Sequence, residues 1–147
     1  MVNTYAYALD ERAWPQLDDV FADEAVARYA GPDGPLLEGR PAIIEAIRSF
    51  LDDCGPTQHL LGNHLIELDH DMARSKCKAR VAHYGAGDRS SLIPYECFGI
   101  YHDELRRTPQ GLANHRPRLR RVPRDRRSGH PRISNPRGGI AIGGQNI

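Results

Sequence analysis

Apolar residues recur at helical spacing in three stretches of the first 55 residues. The first stretch predicts a helix that ends near Trp14, because Pro15 follows it and suits the first turn of a second, short helix. The third stretch predicts a helix that begins at Pro41 and ends before Gly55. The apolar face of this helix consists of Ile43, Ile44, Ile47, Phe50 and Leu51.

Strand patterns occupy the remainder of the first 105 residues. Weak alternation at residues 25–30 and 36–38, around a cluster of Gly and Pro, predicts a hairpin. Short polar links then join three long predicted strands, at about residues 58–68, 72–84 and 92–105. Short links imply antiparallel pairing. We therefore expect an α+β fold, a cone-shaped α+β barrel in which N-terminal helices pack on a curved antiparallel sheet.

The chain changes composition at Gly111. Residues 1–111 carry eleven Lys and Arg against eighteen Asp and Glu, whereas residues 112–147 carry nine Arg, one Asp and no aromatic residue. The turn ending at Gly111 calls for a returning strand, but Pro at 117, 123 and 131 argues against one. We expect residues 1–111 to form one domain without its last strand, and residues 112–147 to form an irregular basic tail.

Length and composition exclude several classes of protein. A chain of 147 residues with 39% hydrophobic residues fits one domain, and no apolar run is long enough to cross a membrane. The first residues lack the basic and apolar segments of a secretory signal, so we expect a cytoplasmic protein. The chain has three cysteines, Cys54, Cys77 and Cys97. They lack CxxC spacing, which argues against a disulfide framework or a zinc ribbon.

Other ligand signals are weak. Asp69-His70-Asp71 has metal-ligating residue types, but a tight turn favours Asp for backbone reasons, so we expect no metal. The Arg-rich tail could neutralise phosphates, yet it has no aromatic residue to stack on bases. We expect no specific nucleic-acid partner. No GxGxxG or Walker-type loop is present, and we expect no cofactor.

Six short phrases in a fixed order resemble a known family. They are Tyr5-Ala-Tyr-Ala-Leu-Asp10, Trp14, Phe21-Ala-Asp-Glu, Gly39-Arg-Pro-Ala-Ile, Thr57-Gln-His-Leu-Leu-Gly-Asn63 and Tyr101-His-Asp-Glu-Leu-Arg-Arg. With them, residues 1–111 resemble the SnoaL-like branch of the nuclear transport factor 2-like superfamily. The resemblance implies a cofactor-independent lyase or isomerase of the dehydratase, dehydrochlorinase or ketosteroid-isomerase type. Its implied partners are a small hydrophobic, cyclic molecule and further copies of the chain, as a dimer or higher oligomer.

The resemblance also implies a site. Alternation along the predicted strand places His59 and Asn63 on one face. By the resemblance, His59 lines the pocket and pairs with Asp10. This pairing would make His59 a general base with a fixed tautomer. The further pocket residues that it implies are Tyr5, Trp14, Asn63 and His83.

Each of these residues also has a purely structural interpretation. Asp10 would cap its helix and His59 would be an ordinary sheet residue, while Tyr5 and Trp14 would be packing aromatics and His83 a half-buried strand residue. The chain would then be a non-catalytic ligand-binding or subunit-like member of the same fold. The sequence leaves both interpretations open.

The family pattern continues after Gly111 with Trp-Arg-Ile, where this chain has Leu112-Ala-Asn-His-Arg-Pro117. Codons for these residues, displaced by one base, can read Trp, Arg and Ile. We therefore hypothesise a frame change near codon 111 that replaces the last strand with an out-of-frame tail. The nucleotide sequence of the gene tests this directly.

Overall fold

The computed structural model describes residues 1–29, 34–109 and 111–122. Its helices are α1 (Val2–Asp10), a 3-10 turn (Trp14–Gln16), α2 (Leu17–Val20), α3 (Arg40–Leu51) and a second 3-10 turn (Gly87–Arg89). Its strands are β1 (Val26–Ala27), β2 (Leu37–Glu38), β3 (Thr57–Asp69), β4 (Met72–His83), β5 (Tyr95–Thr108) and β6 (Gly111–Val122).

Two antiparallel sheets organise these strands. β1 and β2 form a two-stranded hairpin, and the long strands form a four-stranded sheet in the order β3-β4-β5-β6. Bulges interrupt β3 after Gly62 and the β5–β6 pairing at Glu104, and such bulges bend a sheet. The helices pack on the concave side, so the predicted α+β cone, the hairpin and the long meander are all confirmed.

The core lies between the helices and the concave face of the sheet. Alternate residues of β4 are buried from Ala73 to His83, while the residues between them, including Arg74 and Lys76, are exposed. Helix α3 buries the face that its apolar spacing predicts. The largest fully buried side chains of the core are Tyr29, Phe21, Leu17, Ile43, Ile47, Val20 and Cys77.

Helix α1 ends at Asp10, four residues before the predicted end near Trp14. The reason is Arg12, whose φ of 55° is left-handed and breaks the helical path. The backbone N–H of Ala13 donates to the carbonyl of Ala8 at 2.9 Å, and that of Arg12 donates to Leu9 at 3.3 Å. This is the Schellman pattern of helix termination, and it directs the chain away from α1 immediately after Asp10.

The expectation that the last strand is missing is wrong, because β6 pairs with β5 from Gly111 to Val122. Pro117 is tolerated because β6 is the last strand in the order of the sheet. The carbonyl of Pro117 accepts the backbone N–H of Arg28 at 3.3 Å, so the proline nitrogen lies on the edge away from β5. The rest of the predicted tail, residues 123–147, lies outside the described residues.

None of the helices in the described ranges is long and apolar enough to cross a membrane.

Candidate active site

Asp10 and His59 meet where the end of α1 crosses the start of β3. The Nδ1 atom of His59 lies 2.6 Å from Oδ1 of Asp10, and the backbone N–H of His59 donates to Oδ2 at 2.8 Å. The hydroxyl of Thr57 donates to Oδ1 at 2.9 Å. The side chain of His59 is 4% exposed and that of Asp10 is 17% exposed, so the pair is shielded from water.

These contacts fix the charge of Asp10 and the tautomer of His59. Partial burial raises the pKa of Asp10, but the hydrogen bonds from the ring and backbone of His59 and from Thr57 outweigh it, and the net pKa lies below its ordinary value. An ionised Asp10 can only accept hydrogen bonds, so Nδ1 of neutral His59 carries the proton. The other ring nitrogen, Nε2, then holds a lone pair that can accept a proton.

Aromatic rings surround this pair. Tyr5 of α1 meets the ring of His59 edge-on at a centroid distance of 6.4 Å, and His83 of β4 does so at 6.2 Å. Phe50 of α3 and Tyr95 of β5 flank His83 at 5.2 and 5.7 Å. The structure therefore brings Tyr5, Asp10, His59 and His83 together.

Trp14 and Asn63 lie elsewhere. The guanidinium groups of Arg12 and Arg48 lie 5.9 and 5.8 Å from the centre of the Trp14 ring, which is partly buried and packs against the core. Asn63 lies in the β3 bulge with a φ of 54° and is exposed. Because the bulge breaks the alternation, spacing alone does not place Asn63 on the face of His59.

A second polar group lies deeper in the cone, and the sequence reasoning missed it. We call it the cone floor, and it consists of Tyr5, Tyr29, Tyr101, Asp103 and Asn114. The ring of Tyr5 contacts that of Tyr101 at 5.8 Å, which connects the cone floor to His59. One signal was available, because Asp103 stands two residues after Tyr101 and so faces the apolar side of its strand.

Burial dominates the electrostatics of the cone floor. It raises the pKa of Asp103 to about 6, and a hydrogen bond from Asn114 opposes only part of that rise. Burial also raises the pKa of Tyr5, Tyr29 and Tyr101, so these phenols stay neutral hydrogen-bond donors. Among the described residues, two buried polar atoms of this region have no hydrogen-bond partner: Oγ of Ser75 and Oδ1 of Asn114.

The sequence was compared with protein families and with individual relatives. The family model for the SnoaL-like domain matches residues 1–116. The chain belongs to this family. Its relatives include the uncharacterized protein Rv2910c of Mycobacterium tuberculosis, which is 32% identical over 108 residues, or 73% of this chain and 71% of the relative. The match ends five residues beyond the predicted boundary at Gly111, within β6.

Solved structures share the fold of this SnoaL-like domain at low sequence identity. The Kfla4162 protein of Kribbella flavida is similar with a TM-score of 0.75 and 20% identity, covering 85% of this chain and 88% of that one. A candidate scytalone dehydratase of Novosphingobium aromaticivorans gives 0.73 and 20%, covering 83% and 79%. A nuclear transport factor 2-like superfamily protein of Salmonella enterica gives 0.72 and 13%, covering 84% and 87%.

Metal-ligating side chains are dispersed in this SnoaL-like domain. Across the described ranges, no three His, Cys, Asp or Glu side chains are grouped so that they could hold a metal ion. At the turn between β3 and β4, His70 lies 3.9 Å from Asp69, and both side chains are largely exposed.

Proposed function

We propose that this SnoaL-like domain is a cofactor-independent lyase or isomerase in which His59, oriented by Asp10, removes a proton from a carbon atom of a small hydrophobic, cyclic substrate. The observation that carries the proposal is the 2.6 Å contact between Nδ1 of His59 and Oδ1 of Asp10. It leaves Nε2 as the proton acceptor and stabilises the imidazolium that forms. General base catalysis of this kind contributes about 10² to 10⁴ in rate.

The reaction begins at a carbon next to a carbonyl group. Nε2 of His59 takes the proton, and the electron pair of the broken C–H bond moves toward the carbonyl oxygen. In a lyase, that pair then forms a C=C bond as a leaving group departs from the adjacent carbon with the electron pair of the broken bond and takes up the proton held by His59. In an isomerase, the proton returns to a different carbon atom.

Two features support the substrate class. The rings of Tyr5, Phe50 and Tyr95 give the surroundings of the two histidines flat apolar surfaces, which suit a ring-shaped substrate. The cone floor supplies neutral phenols, whose O–H groups suit a carbonyl oxygen of the substrate, and the unpartnered Oδ1 of Asn114, which suits a hydroxyl group. The structural similarity to a candidate scytalone dehydratase is in keeping with elimination chemistry.

Hydrogen–deuterium exchange at carbon tests the proposal without knowledge of the natural substrate. We would incubate the protein in D₂O with 1-tetralone, cyclohexanone and 3-hydroxycyclohexanone, and follow loss of the α-proton signal by NMR. We expect exchange well above the buffer rate with at least one ketone, and a loss of about 10² or more in His59→Ala. His64→Ala, which removes an exposed histidine of the same strand, is the matched control and should match the wild type.

Two results would overturn the proposed proton abstraction. One is exchange by the wild type no faster than in buffer with all three ketones. The other is exchange by His59→Ala as fast as by the wild type.

A specific observation also favours a non-catalytic, ligand-binding member of the family. The ring of His59 is packed edge-on against Tyr5 and His83, which is the packing expected of an ordinary core residue. On the outer face of the sheet, Leu60 and Leu65 are more than half exposed, as in a subunit that pairs through its sheet. Saturable binding of 1-tetralone without exchange at carbon would support this second function. The predicted homo-oligomer stays a prediction that sedimentation velocity tests.

A further inference from the structure

Arg12 occupies a position that normally belongs to glycine. Its φ of 55° lies in the left-handed region at the end of α1, where L side chains are disfavoured and glycine is common. A strained backbone persists only where the surrounding contacts hold it. The side chain of Arg12 should therefore make contacts that glycine could not supply.

The guanidinium of Arg12 joins three elements. Nη2 donates to the carbonyl oxygens of Leu51 at 3.1 Å and Gly55 at 2.9 Å, which lie at the end of α3 and in the link to β3. Nη1 donates to the carbonyl oxygen of Leu9, in α1, and to the hydroxyl oxygen of Thr57 at 2.9 Å. Arg12 thus ties α1, α3 and the start of β3 together at the point where Asp10 meets His59.

The contact with Thr57 sets the direction of a hydrogen-bond chain. A guanidinium can only donate, so the hydroxyl oxygen of Thr57 accepts from Arg12 and its proton is free for another partner. That proton lies toward Oδ1 of Asp10, 2.9 Å away. The same Oδ1 accepts Nδ1–H of His59. Donation therefore runs in one direction, from Arg12 through Thr57 to the carboxylate that holds His59.

We propose that Arg12 is a positioning residue that acts through Thr57 to hold the Asp10 carboxylate in the orientation that fixes the ring of His59. Its importance for catalysis rests on the proposed function, because it matters for a reaction only if His59 is the base. Its effect on the orientation of His59 does not depend on any substrate. Arg12 itself touches no reacting atom.

Among the described residues, the polar and charged side chains around Asp10 belong to β3, to α1 and to the turn that follows α1. His59 and Thr57 face it from β3, Arg12 approaches from the end of α1, and the buried phenol of Tyr5 lies on the same helix. Loss of the Thr57 hydroxyl removes a donor to the charged form of Asp10, which raises the pKa of Asp10. It also removes one of the donors that orient Oδ1, which weakens the hydrogen bond from Nδ1–H of His59.

The experiment measures the solvent exchange rate of the Nδ1–H proton of His59 by NMR in the full chain without ligand. Thr57→Val, which is isosteric but lacks the hydroxyl, should speed exchange about tenfold, the factor of one hydrogen bond to a charged group. Thr57→Ser keeps the hydroxyl and should retain the wild-type rate. Arg12→Gly relieves the left-handed backbone but removes the guanidinium, and it should match Thr57→Val.

The double variant Arg12→Gly with Thr57→Val decides whether Arg12 acts through Thr57. We expect it to exchange no faster than Thr57→Val alone, because both changes break one chain. Arg48→Met is the matched control. Arg48 contacts the same Trp14 ring as Arg12, but its described ion pair is with Asp52. It should leave the exchange rate unchanged.

Three results would overturn the role of Arg12: additive effects in the double variant, a wild-type exchange rate in Thr57→Val, or an altered rate in Arg48→Met as large as that in Arg12→Gly. If Arg12→Gly does not fold, the comparison of Thr57→Val with Thr57→Ser still tests the part of the chain that touches Asp10. A wild-type rate in Thr57→Val would then overturn the role of Arg12 as well. Loss of carbon exchange in the ketone assay would bear on the proposed function and leave this NMR result standing.

Discussion

Replacing Asp103 by Asn should stabilise the fold at neutral pH. Asp103 is 5% exposed, and burial raises its pKa from 3.8 to about 6. The folded state therefore binds a proton between these values that the unfolded state has released, and the stability of the wild type falls as pH rises through this window. The difference corresponds to about 3 kcal/mol once the pH exceeds the folded pKa.

Asparagine cannot ionise, yet it keeps the shape of the protonated carboxyl and an oxygen that can accept from Asn114. We expect Asp103→Asn to equal the wild type near pH 4 and to be more stable by about 3 kcal/mol at pH 7 to 8. Urea unfolding at pH 4, 5, 6, 7 and 8 measures this difference. Asp19→Asn, which removes an exposed carboxylate of α2, is the control and should not show it. Parallel stability curves for Asp103→Asn and the wild type from pH 4 to 8 would refute the reasoning.

Two further predictions concern stability. A Cβ atom at Gly85 would collide with the backbone carbonyl of Arg89, whereas one at Gly62 would meet nothing within 4 Å, so Gly85→Ala should cost about 1–3 kcal/mol and Gly62→Ala much less in thermal unfolding. The lowered pKa of Asp10 adds stability above pH 3.8 that is lost as pH falls through its folded pKa. Asp10→Asn should remove that acid-side loss, and an unchanged acid limb would contradict it.

The parts of the fold that follow regular spacing could be predicted from the sequence. Along β4, apolar or small residues alternate with charged ones in the sequence, and this pattern matches the buried face on which His83 lies. The apolar spacing from Ile43 to Leu51 likewise identified the buried side of α3. The Asp10–His59 pair came from family resemblance, and the structure places its atoms in contact. In β4 and α3, the residues of one element obey a single period.

The features that could not be predicted depend on single backbone positions or on distant partners. Nothing local signals that Arg12 is left-handed, because two of the three carbonyls that accept from its guanidinium, those of Leu51 and Gly55, lie about 40 residues away in the sequence. The alternation of residues along β3 likewise gives no sign of the bulge at Asn63. Pro117 argues against a strand at this position, because proline is excluded from interior strands. Only the order of the strands shows that β6 lies at the edge of the sheet.

The two outer strands of the long sheet are protected from intermolecular pairing by different means. On β6, Ala22 and Arg28 donate backbone N–H groups to Asn114 and Pro117, so the chain's own N-terminal half occupies that border. On β3, the bulge displaces the backbone at Asn63 and interrupts the straight row of donors and acceptors that a foreign strand would need. Straightening that bulge would make the outer backbone of β3 a continuous row of donors and acceptors, which is a template for intermolecular strand pairing.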